Sequence, residues 1–191
     1  MKSIIISLYL LLSSYASISL ADFSDAVSNY NKGNYSEAFK EFEHLAEQGY
    51  MDAQTNLGVM YESGKGVPKD YKQAAYWYRM SAKQGGAAAQ YNLGVMYANG
   101  QGVPKNDKQA VEWFKKSVEQ GFANAQYNLG LMYANGQGNL PKDNKRAVEL
   151  YKKSAEQGYS LAQSNLGLMY AKGRGGLPKD DKRAVELYKK S

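Results

Sequence analysis

The stretch NLGVMYANGQGVPKND, from Asn92 to Asp107, carries the residue types of an anion-binding loop. Gly100 and Gly102 would let backbone N–H groups approach a phosphate, and Lys105 follows closely. A nucleotide-binding loop of that kind follows a strand and joins its lysine to serine or threonine, and neither condition is met. Other reactive residue types are sparse. His44 is the only histidine and the chain has no cysteine, which speaks against nitrogen or sulfur metal sites and against a cysteine nucleophile paired with histidine. His44 is expected on a partly exposed helix face with no functional role. The Ser-x-x-Lys element of serine β-lactamases does not occur. Carboxylates are scattered, and Glu149 precedes Lys152 and Lys153 at spacings that stabilise an exposed helix. The residues therefore predict no enzyme, no metal and no cofactor.

The elements that would position such residues repeat along the chain. Asn-Leu-Gly begins at Asn56, Asn92, Asn128 and Asn165, intervals of 36, 36 and 37 residues. The four prolines, Pro68, Pro104, Pro141 and Pro178, keep the same register, and the extra residue falls where GNLPKD replaces GVPKN. An insertion there lengthens a connection without shifting a packed face.

Each unit holds two helical patterns. In the first, Ala89, Leu93, Met96 and Tyr97 form one apolar stripe, with counterparts at Ala53, Leu57, Met60 and Tyr61, at Ala125, Leu129, Met132 and Tyr133, and at Ala162, Leu166, Met169 and Tyr170. In the second, Ala74 and Tyr78, Ala110 and Phe114, Ala147 and Tyr151, and Ala184 and Tyr188 lie four apart, widened by Trp77, Trp113, Leu150 and Leu187. Gly85, Gly121 and Gly158 read as helix stops. The opening stretch thus spans a helix end, a connection and a helix start, with Asn106 or Asp107 as cap. Gly58, Gly94, Gly130 and Gly167 fall in mid-helix, where glycine costs ~1 kcal/mol against alanine. That fourfold cost predicts close helix–helix approach.

Composition is that of a folded chain, with 43% hydrophobic and 22% charged residues among 191. Tyrosine is enriched, at 17 residues, which suits the half-buried positions of an elongated fold. Residues 1–21 read as a secretory signal peptide: Lys2, an apolar run from Ile4 to Leu12 broken by Ser7, and Ser19-Leu20-Ala21 before cleavage after Ala21. The rival reading is an uncleaved anchor, for which the run is short of the ~20 residues a span needs. The mature chain, from Asp22, would be periplasmic or secreted, would meet the membrane only through its transient signal peptide, and would carry 23 basic against 18 acidic residues. That mild excess suits acidic partners or a solvated lysine face, and nucleic acid is not an expected partner.

The segment AQYNLGVMYANGQGVPKNDKQAVEWFKKSVEQG resembles a Sel-1-like repeat of the exported bacterial type, a relative of the tetratricopeptide repeat with a longer inter-helix loop. The resemblance implies an all-α, right-handed α-solenoid of antiparallel helix pairs. Residues 22–49 resemble a tetratricopeptide hairpin acting as an N-terminal cap, followed by repeats at 50–85, 86–121, 122–158 and 159–191. The last repeat stops short, which leaves Val185, Leu187 and Tyr188 without a following neighbour. The chain is expected to be a fragment or natural truncation, or to have this edge covered by another molecule.

By the same resemblance, the partner is a protein or peptide held in a concave groove formed by the first helices. The groove positions would be Asp52, Thr55, Val59 and Glu62; Ala88, Tyr91, Val95 and Asn99; Asn124, Tyr127, Leu131 and Asn135; and Leu161, Ser164, Leu168 and Lys172. Tyr91 and Tyr127 are either binding anchors or packing against the neighbouring helix. Asn56, Asn92, Asn128 and Asn165 either clamp a partner's backbone or bond internally to the loop. Lys69, Lys105, Lys142 and Lys179 are expected in a row along one edge, solvated or facing an acidic partner. The implied roles are an adaptor for the cell envelope or host interaction, or an immunity protein neutralising a secreted toxin. Some disulfide-rich relatives bind penicillin or weakly hydrolyse β-lactams, an activity that the missing Ser-x-x-Lys element argues against here.

Overall fold

A computed structural model of the chain describes residues 22–191, so the expected signal peptide lies outside the described residues. Helix α1 covers residues 22–32, and α2 (Tyr35–Glu47) completes the first hairpin. Four longer-looped pairs follow: α3 (Met51–Ser63) with α4 (Tyr71–Lys83), α5 (Ala87–Asn99) with α6 (Asp107–Glu119), α7 (Ala123–Asn135) with α8 (Asn144–Glu156), and α9 (Ser160–Lys172) with α10 (Asp181–Tyr188). No strand occurs among the described residues, and the all-α, helix-pair class expected from the repeat is the class found.

The helix boundaries follow from local chemistry. Gly100 ends α5 in the left-handed region at φ 70°, a conformation that costs glycine little. Pro104 cannot continue a helix, and the Asn106 side chain accepts the N–H of Gln109 to start α6. Asp70, Asp143 and Asp180 cap α4, α8 and α10 in the same way. The pairs are antiparallel, because each loop closes on one backbone bond between the cap of the second helix and the end of the first. Asp70 N donates to Tyr61 O, Asn106 N to Tyr97 O, Asp143 N to Tyr133 O and Asp180 N to Tyr170 O, at 2.9, 2.8, 2.8 and 3.0 Å. The two longer loops keep that bond, absorbing the extra residue in left-handed turns at Asn139 and Gly176.

The apolar stripe is buried as its spacing requires: Ala89, Leu93 and Met96 are fully covered. The mid-helix glycines sit against the ring of the second helix in their own pair. A Cβ at Gly58 would lie 2.6 Å from the Tyr78 ring, and one at Gly94 would lie 2.7 Å from Phe114. Gly130 faces Tyr151, and Gly167 faces Tyr188, in the same manner. Only a missing side chain lets the aromatic ring lie on the helix backbone, which is the close approach expected from sequence.

Polar side chains fasten the other end of the first three of these pairs. Gln120 Nε2 donates to Gly85 O and to Gln90 Oε1, both at 2.8 Å. Gln84 makes the same fork to Gly49 O and Gln54, and Gln157 to Gly121 O and Gln126. Ser117 and Ser154, fully buried, donate to Ala87 O and Ala123 O. These bonds satisfy carbonyls and carboxamides that burial would otherwise leave costly.

Two compact units result, divided between Gln84 and Gly85. The core of the first gathers Phe42, Leu45, Leu57 and Met60. That of the second gathers Phe114, Leu129, Met132, Tyr151 and Leu166. At the last pair Leu187 is buried, whereas Val185 and Tyr188 are 50% and 44% exposed. Leu187 packs on the preceding helices, within the second unit's core.

Candidate partner-binding site

The phosphate-loop residues form a helix cap and a connection, and no metal-ligand cluster occurs among the described residues. His44 is exposed on α2, within 2.8 Å of Gln48.

Of the sixteen groove positions, Asp52, Thr55, Val59 and Glu62 belong to the first unit and the other twelve to the second. Asp52 is exposed, and Thr55 is held by Ser81 at 2.7 Å. Glu62 falls one position out of register with Asn99 and Asn135, Ser63 being their counterpart, and it accepts the Tyr78 hydroxyl at 2.6 Å.

In the second unit the first helices line two clefts related residue by residue through the repeat. The earlier, about 350 Å³, is lined by Val95, Ala98, Asn99, Lys105, Asp107, Phe114, Asn128, Leu131, Met132 and Gln137. The later, about 520 Å³, has the register counterpart of every one: Leu131, Ala134, Asn135, Lys142, Asn144, Tyr151, Asn165, Leu168, Met169 and Arg174. The predicted positions Val95, Asn99, Leu131, Asn135 and Leu168 therefore come together. Asn99 and Asn135 donate weakly to Gln101 and Gln137, at 3.4 Å, from the ends of α5 and α7.

Tyr91 and Tyr127 are half-buried among aromatic rings. The Tyr91 ring lies 5.9 Å from Phe114 and 5.4 Å from Phe122, and Tyr127 lies 5.9 Å from Tyr151 and 5.3 Å from Tyr159. Burial, then the nearby Tyr159, pushes the Tyr127 hydroxyl's pKa up. Burial also pushes Tyr151 up to about 12, so its phenol stays protonated and able to donate. Asn124, Leu161 and Ser164 lie outside the lining of both clefts; Leu161 is 51% exposed, and the other two are half-buried.

The repeated asparagines do not bond to the loop where their bonds are seen. Asn56 donates to Asp52 O in its own helix, and Asn165 donates to the Tyr127 hydroxyl at 3.4 Å. Asn128 and Asn165 line the clefts. The lysines after proline diverge as well: Lys69 lies over the Tyr71 ring, Lys179 pairs with Asp181, and Lys105 and Lys142 line the clefts. Sequence reasoning did not place the polar cleft residues Asp107, Gln137, Asn144 and Arg174 at a binding surface. The loop position after the cap glycine recurs as Lys65, Gln101, Gln137 and Arg174, and its variation was the available signal.

The architecture is shared with solved proteins. A protective antigen with an SLR fold from uropathogenic Escherichia coli is 32% identical with a TM-score of 0.82, over 93% of this chain and 38% of that one. A Sel1 repeat protein from Oxalobacter formigenes is 35% identical with a TM-score of 0.81, over 88% of this chain and 66% of its own. A rat protein named DAP3-binding cell death enhancer 1 is 41% identical over 46 residues, which span 24% of this chain and 9% of the relative. The chain thus spans less than two thirds of each. The Sel1 repeat pattern itself matches residues 52–86, 87–122, 123–159 and 160–191. Scaffolds of such repeats are typically non-enzymatic protein-interaction modules. With the glycine contacts, the loop-closing bond and the residue-by-residue clefts all repeating at the period of those matches, the chain belongs to the Sel1 repeat family.

Proposed function

We propose that the chain is an exported adaptor that holds a protein or peptide against the first-helix face of its second unit. The observation that carries this reading is the pair of equivalent clefts. Each combines exposed carboxamides with an apolar wall, the mixture that gives orientation and contact area together. The name of the rat relative, which describes protein binding, is in keeping with it. Export rests on Lys2, the apolar run from Ile4 to Leu12, and the small residues before Asp22. The partner is then an envelope, secreted or host protein, a toxin among the possible classes.

Affinity capture from envelope extract tests the reading, with an Asn135→Glu, Leu168→Glu variant as control. Both residues are exposed, so the variant should remain helical. A protein retained by the wild type and lost by the variant is the expected result. Equal retention by both would remove the cleft face as the binding surface. N-terminal sequencing of the exported protein should read from Asp22; a start at Met1 in a membrane fraction would replace export by anchoring.

A further inference from the structure

The two clefts share a scaffold but differ in charge, and their three polar differences favour an anion in the later one. Phe114 at the floor of the earlier cleft is replaced by Tyr151, which brings a hydroxyl. Asp107, the first residue of α6, is replaced by Asn144 at the start of α8, which removes an acid. Gln137 is replaced by Arg174, which adds a cation. Lysine stands at the rim of both, as Lys105 and Lys142. The earlier cleft therefore balances one lysine against one aspartate. The later holds two cations and no acid.

Donors fill the later cleft. Asn165, which donates to the Tyr127 hydroxyl, and the protonated Tyr151 phenol both line it, and the Arg174 side chain has no hydrogen-bond or ion-pair partner among the described residues. Neighbouring Lys179 is drawn instead to Asp181. An acceptor with negative charge is the complement of such a set, because guanidinium and ammonium groups bind carboxylates through charge-assisted bonds. The cleft also presents apolar surface, Leu131 and Met169 with Leu168 41% exposed. A small inorganic oxyanion would leave that surface uncovered, whereas a peptide with alternating acidic and apolar side chains would cover it.

We propose that the cleft between α7, α8 and α9 binds a carboxylate side chain of an acidic, apolar peptide segment, with Arg174 and Lys142 as its cations. This rests on the cleft face being the recognition surface.

The test measures fluorescence anisotropy of a labelled, end-capped Gly-Leu-Asp-Leu-Asp-Gly peptide with the full chain, against the same peptide with both aspartates as asparagine. The aspartate peptide should bind at least about tenfold more tightly, the scale of one charge-assisted bond. Arg174→Gln with Asn144→Asp installs the residues of the earlier cleft, and should weaken the aspartate peptide by about tenfold or more and flatten its salt dependence. The reciprocal variant, Asp107→Asn with Gln137→Arg, should create a second site and raise the stoichiometry. Circular dichroism confirms that each variant is folded. Equal binding of the two peptides, or no binding at millimolar protein, overturns the proposal. Binding lost in Leu168→Glu but unchanged in the Arg174 variant overturns the carboxylate site while sparing the cleft face. Binding unchanged in both variants removes the cleft face as well. If inorganic phosphate binds as tightly as the peptide, the ligand is a free oxyanion and the peptide assignment falls.

Discussion

Lys65 in the first unit and Arg174 in the second occupy the same loop position, between two glycines just past the first helix. Lys65 is fastened: its Nζ donates to the Tyr30 hydroxyl at 3.1 Å and lies over the rings of Tyr30 and Tyr35, 4.8 and 4.9 Å from their centroids. Those hydrogen bonds, Tyr30 foremost, raise its pKa. Arg174 faces a cleft instead. The difference comes from what precedes the loop: the α1–α2 hairpin supplies Tyr30 and Tyr35, whereas the residue at the Tyr35 position ahead of the Arg174 loop is Asn144. One position of the repeat can thus serve as a fastening or as a recognition group, and its residue type alone does not say which.

Outside this position the two units are built on the same apolar stripe, and core truncation has the largest expected effect on it. Leu57→Ala in the first unit and Leu93→Ala in the second should each cost about 2 to 5 kcal/mol in urea denaturation. A cost below about half a kcal/mol in either would mean that its stripe is not core. Next come the glycines, where Gly58→Ala and Gly94→Ala gain helix propensity but force a ring away, for a net loss of about 1 to 3 kcal/mol. Gly94→Ala combined with Phe114→Leu should recover part of that loss, and strict additivity would contradict the contact.

A smaller effect, about 1 to 2 kcal/mol, is expected for Gln84→Ala and for Gln120→Ala, which strand a buried carboxamide oxygen and a carbonyl. Hydrogen exchange should rise locally at the start of α3 and of α5; protection unchanged at both would show that the fork is dispensable. The last pair sharpens the contrast itself. Lys65→Gln should lower the melting temperature, and Arg174→Gln should leave it unchanged while weakening peptide binding. Equal thermal shifts would erase the distinction between fastening and recognition.

The helix pairs were legible because their signals are short-range and repeated. Spacing within one helix gives the stripe, and glycine, proline and the capping Asp or Asn give the ends. Even the glycine contacts could be anticipated, since a cost paid four times at one position needs a cause. Tyr91 and Tyr127 were harder to read. Their partners Phe122 and Tyr159 lie 31 and 32 residues further along the chain, and a period shows that positions recur without showing which two meet. The glutamine fork escaped for a related reason, because a polar residue before a stop glycine looks solvated until its carbonyl partner one repeat earlier is in place. Cleft chemistry was legible least, as it depends on Asp107, Asn144, Gln137 and Arg174, which vary between repeats while the pattern stays constant.

The loop that closes on one backbone bond has a practical consequence. Its span has already grown by a residue in two of the four repeats without altering the bond at its base. Lengthening a loop further adds only slowly to the entropy of closing it. The turn at Asn139, which is exposed and already left-handed, is therefore a suitable graft point, where a short epitope or a dye-binding tag could be inserted with both helices of the pair kept in register.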